Sequence, residues 1–151
     1  MRELSAATTV AAPPAVVWRV LTDTSAYGAW NPFIPELTGQ LRVGQRLRVR
    51  IVPPGGRGMT FRPTVTAVEE ERELAWLGRL GVPGLFDGTH SFTLTPRADG
   101  GTDLLQREVF RGVLVPLVAG TLRQTEAGFR AMNEALRSRA EDLAGRADAT
   151  G

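Results

Sequence analysis

DGTHSFTLTPRADGGTDLLQREVF, residues 87–110, reads as two strands joined by a glycine-rich turn. In the first strand His90, Phe92 and Leu94 share one face, while Thr89, Ser91 and Thr93 share the other. If the two apolar residues turn inward, the only histidine of the chain turns inward with them. The second strand carries Glu108, and the turn decides where it points. A three-residue loop, Asp99-Gly100-Gly101, with Gly101 in the left-handed slot, pairs residue 92 with 108 and residue 90 with 110, which puts Glu108 inside. A two-residue loop, Gly100-Gly101, pairs 92 with 109 and brings Arg107 and Arg111 inward instead. The local sequence leaves both registers open.

Downstream of this hairpin, Val118, Leu122, Thr125, Phe129, Met132, Leu136, Ala140 and Leu143 recur at steps of three or four. That spacing predicts one amphipathic helix from Pro116 to Leu143, about 42 Å long at 1.5 Å per residue. Arg123, Glu126, Arg130, Glu134, Arg137 and Glu141 occupy its other side, with Glu126 and Arg130 in the favourable i,i+4 order. Residues 147–151 are expected to form a disordered tail.

Upstream, ELSAATTVA at 3–11 predicts a first strand. Pro13 and Pro14 suit a helix start, and Val16, Val17, Val20 and Leu21 follow at helical spacing. Thr24 or Ser25 supplies a cap for a second short helix, which must end by Pro32. PELTGQ, RLRVRIV, MTFRPTVTAVEE and RELAWLGRL are the next strands; Pro63 interrupts the third of these and marks an edge or a bulge. In RLRVRIV, Leu47, Val49 and Ile51 alternate with Arg46, Arg48 and Arg50, which form a solvated outer face.

The chain has 151 residues, enough for one domain with a substantial core, and its 42% hydrophobic share is that of a globular protein. The isoelectric point is strongly basic although the formal charge is only +2, because every basic residue is arginine. So weak an excess does not argue for nucleic acid, and no nucleic-acid partner is expected. No apolar run approaches the length of a membrane span, so no integral membrane association is expected. The N-terminus has no basic segment followed by an apolar one, and a cytoplasmic location is the expectation. With no lysine and no cysteine, Schiff-base and thiolate chemistry are excluded. A single histidine leaves no zinc-ligand set. Neither metal nor cofactor is expected.

WNPF (30–33), FRPTV (61–65), ELAWLG (73–78), GTHSFTL (88–94), GGTDLLQREVFRGVLVPL (100–117) and FRAMNEALRSRAE (129–141) together resemble the START/Bet v 1-like superfamily, also called SRPBCC or the polyketide cyclase/dehydrase and lipid transport family. The resemblance covers about residues 3–143. It implies an α+β helix-grip fold: a curved seven-stranded antiparallel sheet wrapped around the long C-terminal helix, with two short helices between strands 1 and 2, in a single domain over 1–146. It also implies an apolar cavity between sheet and helix. The loops PPGGRG and GVPGLFDG stand where the superfamily's plant hormone receptors gate the cavity mouth. The family pattern favours the register with Glu108 inside.

On that resemblance the expected function is binding of a hydrophobic small molecule, lipid-, polyketide- or aromatic-like, by a monomer or homodimer. The alternative is a polyketide-type aromatase/cyclase or dehydratase, a lyase or isomerase in which His90 and Glu108 move protons on a ketone or enol. A third reading fills the interior with side chains and leaves an interaction module. The candidate ligand wall comprises Trp30, Asn31, Phe33, Arg62, Trp76, Phe92, Phe110, Leu122, Phe129 and Met132. For the apolar and aromatic members the plainer reading is packing, and for Asn31 it is a turn before Pro32; Arg62 enters as a charge partner, beside His90, for a buried Glu108. For His90 with Glu108 the plainer reading is a satisfied polar pair.

Overall fold

The computed structural model describes residues 1–118 and 120–150, without the side chains of Val118 and residues 148–150. The elements run β1 (Arg2–Val10), α1 (Pro14–Thr22), α2 (Tyr27–Trp30), β2 (Glu36–Thr38), β3 (Arg48–Ile51), β4 (Met59–Phe61), β5 (Thr64–Glu69), β6 (Glu73–Arg79), β7 (Asp87–Pro96), β8 (Thr102–Arg111) and α3 (Leu122–Thr150). Short 3₁₀ turns precede α2 and α3. All strand pairs are antiparallel, and α3 packs against β1 and α1.

The strands form a five-stranded sheet, β1-β8-β7-β6-β5, and a three-stranded sheet, β2-β3-β4, rather than the single seven-stranded sheet expected. The physical cause is Pro63. The first half of MTFRPTVTAVEE, residues 59–65, runs past one neighbour, since Val49 faces Phe61 and Arg46 faces Thr64 in one unbroken register. Pro63 has no N–H to give to that ladder. Its carbonyl accepts from Leu47 N at 2.8 Å, and the strand splits there into β4 and β5. A further register shift between Val65 and Ala67 bends β5 against β6.

The β7–β8 turn also departs from both registers read from the sequence. His90 faces Glu108 and Phe92 faces Gln106. The loop is one residue earlier than the three-residue form expected: Arg97 N bonds to Gly101 O at 2.9 Å, and Gly100, at φ +90°, takes the left-handed slot. Gly101 instead lies flat against β1, where a Cβ would stand 2.7 Å from Val10 O. A two-residue displacement of the pairing conserves parity, so the inward face of each strand is the one the three-residue loop implies.

α1 starts at its prolines and buries Val17, Val20 and Leu21. Neither Thr24 nor Ser25 caps α2; the Ser25 hydroxyl donates to Asp23 Oδ1 instead. α2 stops at Asn31, which is extended ahead of Pro32. The long helix begins at Leu122, six residues after Pro116. A turn at Gly120 separates it from the 3₁₀ segment Val115–Val118, in keeping with glycine's low helix propensity. The expected stripe position Val118 lies outside the described side chains. At its other end α3 continues to Thr150, past the boundary expected at 146, and Gly151 is outside the described residues.

Leu122, Phe129, Met132, Leu136 and Ala140 of α3 join Leu74, Trp76, Phe92, Leu94 and Leu104 of the sheet in one core. Gly128 lets the Phe33 ring onto the helix backbone: a Cβ there would meet Phe33 Cδ1 at 2.2 Å. Gly145, in the same helix, faces open space. Gly128→Ala is therefore expected to lower unfolding stability by about 1–3 kcal/mol, whereas Gly145→Ala raises it by up to about 1 kcal/mol. Urea denaturation of the two variants reads both signs.

Tyr27 is fully buried, and its hydroxyl donates to the Leu21 carbonyl. Burial, aided by the Asp23 charge, pushes its ionisation far above the ordinary tyrosine range. It is the only tyrosine, and the chain lacks lysine and cysteine. Between about pH 9 and 12 no other side chain type present titrates. The unfolded phenol loses its proton near pH 10 while the folded one keeps it, so the unfolded state binds fewer protons and stability falls as pH rises. The expected slope above about pH 10 approaches 1.4 kcal/mol per pH unit. Tyrosinate absorbance should appear together with unfolding, and Tyr27→Phe should flatten the slope.

Candidate functional site

The inner faces of β6, β7 and β8 carry Trp76, His90 and Glu108 toward the region where α3 begins. There the sheet and helix part, and a cavity of about 400 Å³ opens between them. Its wall is mostly apolar: Phe33, Val49, Ile51, Trp76, Phe110 and Leu122. That volume lies within the range of small-molecule pockets. Pro53, Gly56 and Arg57 from the β3–β4 loop and Leu80 and Phe86 from the β6–β7 loop complete the rim, so both glycine-proline loops contribute to the mouth.

His90 is buried in an aromatic box. Its ring stacks on Trp76 at 5.2 Å and 22°, lies 4.9 Å from Phe92, and meets Phe129 edge-on at 5.1 Å. Its Nε2 is 3.0 Å from Gln106 Oε1. Its Nδ1 lies 3.3 Å from Glu108 Oε2, close enough for an ion pair, yet the alignment is not that of a hydrogen bond. Gln106 and Asn133 extend the network inward. Gln106 Nε2 donates to Asn133 Oδ1 at 2.9 Å and to Phe129 O at 3.3 Å, and Asn133 Nδ2 donates to Ala6 O at 3.0 Å. A polar thread thus runs from the cavity wall through the core to β1. Every buried amide in it is paired, as burial demands.

Among the residues singled out from sequence, His90, Glu108, Phe33, Trp76, Phe110 and Leu122 meet on the cavity wall. The others do not. Phe92, Phe129 and Met132 are fully buried core residues behind the wall. They share the face of the lining residues but sit further along it: Phe129 is about 10 Å beyond Leu122 along the helix axis. Arg62 is exposed and points away, since it stands out of phase with the inward residues Phe61 and Pro63. Trp30 packs edge-on against Tyr27 at 5.2 Å. Asn31 makes the turn that its position before Pro32 implies: its Oδ1 accepts from Phe33 N at 3.0 Å and Ile34 N at 2.8 Å. Trp30 and Asn31 lie outside the cavity wall.

Gln106 and Asn133 are absent from the sequence-derived candidates. Gln106 precedes Glu108 by two and so shares its face, and Asn133 follows Met132 within the helix stripe. A polar residue inside an apolar face is the signal that marks both. Arg79 and Asp87, at the facing ends of β6 and β7, approach to 3.5 Å at the rim, and Gly84 N donates to Asp87 Oδ2 at 3.2 Å. Among the described residues, no three His, Cys, Asp or Glu side chains gather as a metal site. No helix among them is long and apolar enough to cross a membrane.

Replacing Gln106 with leucine strips partners from His90 Nε2 and Asn133 Oδ1 at once. At about 1–3 kcal/mol for each stranded group, Gln106→Leu should destabilise the fold by about 2–6 kcal/mol in urea denaturation. A loss below about 0.5 kcal/mol, the scale of an ordinary surface change, would contradict the network.

Residues 1–147 match the family model described as polyketide cyclase/dehydrase and lipid transport. No curated protein matches the chain. Three solved structures illustrate the fold. Protein MLL2253 from Mesorhizobium loti is 23% identical, with TM-score 0.72 over 93% of this chain and 98% of that one. A START superfamily protein from Mycobacterium smegmatis is 22% identical, with TM-score 0.71 over 93% and 98%. The di-domain ARO/CYC StfQ from the steffimycin biosynthetic pathway is 17% identical, with TM-score 0.74 over 95% of this chain and 52% of that one, so the chain spans about half of StfQ.

Proposed function

We propose, for a chain that belongs to the polyketide cyclase/dehydrase and lipid transport family, that the cavity binds a mostly apolar small molecule of lipid-, polyketide- or aromatic-like character. One observation carries this reading: a chamber of about 400 Å³ walled by apolar side chains, with one imidazole–carboxyl pair set into the wall. Apolar contact supplies most of the affinity in such a chamber, and the few polar groups set orientation. A filled interior, as an interaction module would have, does not fit that volume.

A second reading, a polyketide-type cyclase or dehydratase, draws on the pair itself. His90 and Glu108 are both at the wall and 3.3 Å apart, the arrangement of an acid–base couple that takes a proton beside a ketone and returns it to a departing hydroxyl. The fold likeness to StfQ adds a fold-level analogy and no more. Under this reading His90→Ala and Glu108→Gln abolish turnover of a poly-β-ketone; under simple binding they leave most of the ligand affinity in place.

Gly78 offers a direct test. It lines the cavity, and a Cβ there would have no neighbour nearer than 3.9 Å, so a larger side chain enters the chamber without a clash at its base. Gly78→Leu should weaken binding of 2-naphthol by about tenfold or more while leaving the far-ultraviolet circular dichroism unchanged. Unchanged affinity in calorimetric titration would place the ligand elsewhere.

A further inference from the structure

The buried network has a direction, and its far end sets it. Asn133 Nδ2 donates to the Ala6 carbonyl, which can only accept, so Asn133 Oδ1 is the acceptor facing Gln106. Gln106 spends its amide N–H groups on that oxygen and on the Phe129 carbonyl. Its Oε1 is left to face His90, and at 3.0 Å from that oxygen His90 Nε2 must carry the hydrogen. Only Nδ1 remains to meet Glu108, through Oε2 at 3.3 Å. Whether the proton of this pair sits on Nδ1, on Oε2 or on neither, the second carboxyl oxygen, Oε1, keeps only lone pairs. Gly88 leaves room for that oxygen: both residues line the cavity, and a Cβ on Gly88 would stand 2.7 Å from Glu108 Oε1.

We infer that the ligand is an apolar molecule bearing a hydroxyl group (alcohol, phenol or enol) that donates to Glu108 Oε1, and that Gln106 and Asn133 are positioning residues that fix this polarity by keeping His90 Nε2 protonated. The inference rests on the cavity being the ligand site. An ether or ketone of the same shape has no hydrogen to offer and would set its lone pairs against those of the carboxyl. Discrimination of this kind, between a partner that completes a buried hydrogen bond and one that cannot, is large for its size.

Two measurements test it. In calorimetric titration 2-naphthol should bind about tenfold more tightly than 2-methoxynaphthalene, and Glu108→Leu should erase the difference while retaining affinity for the ether. His90 is the only histidine, so ¹⁵N spectra of histidine-labelled protein report one ring without assignment. The unliganded protein should show hydrogen on Nε2, and Gln106→Leu should give a mixture of tautomers. Equal affinity for the two probes, both weakened by Gly78→Leu, would overturn the hydroxyl preference and leave the cavity as a binding site. Failure of both probes to bind would overturn both readings. A neutral ring carrying hydrogen on Nδ1 alone would overturn the positioning role, and that result needs no variant to fold.

Discussion

The antiparallel register between β7 and β8 is the constraint on which the rest depends. It sets His90 opposite Glu108 and Phe92 opposite Gln106, and so decides that one imidazole touches a carboxyl on one side and an amide on the other. A slip of one residue would turn the whole inner face of β8 outward and place Arg107 and Arg111 against the core. Gly100 pins the register from the turn, because its backbone angle of φ +90° is one that side chains resist. The pairing of β1 with β8 then carries the same register to Ala6, whose carbonyl terminates the polar thread.

That thread ties three layers together. β1 supplies a carbonyl, α3 an asparagine, and the central strands a glutamine and a histidine, all nearly inaccessible to solvent. Its energetic meaning is asymmetric: the intact chain of bonds adds little net stability, whereas any broken link strands a buried polar group. This makes the network a specifier of geometry. The aromatic box around His90 acts in the same sense by fixing the plane of the ring.

The cavity owes its position to where the grip loosens. Along most of its length α3 lies tight on the sheet through Phe129, Met132 and Leu136. Near Leu122 the main sheet gives way at Pro63 to the separate β2-β3-β4 sheet, and residues of both sheets, the loops and the first turn of the helix line the space between. The same proline that divides the sheet therefore also shapes the chamber, as one of its lining residues.

Much of the architecture was legible in the sequence, because period-two and period-3.6 patterns are local. The order of strands and helices, the core face of α3, the inward histidine and the break at Pro63 all follow from such patterns. The face of Glu108 followed only with the family pattern, since the turn glycines admit neighbouring registers and the structure selected another. What periodicity cannot supply is distance along an element. Phe129 and Leu122 lie on one face and both join the core, yet only Leu122 also lines the cavity, because the cavity borders only the first turn of the helix. The link from His90 to Gln106 and Asn133 likewise joins residues 16 to 27 positions apart. Which of the polar residues on those inward faces would meet was decided only when strands and helix packed together, since a hydrogen bond depends on proximity that no local pattern encodes.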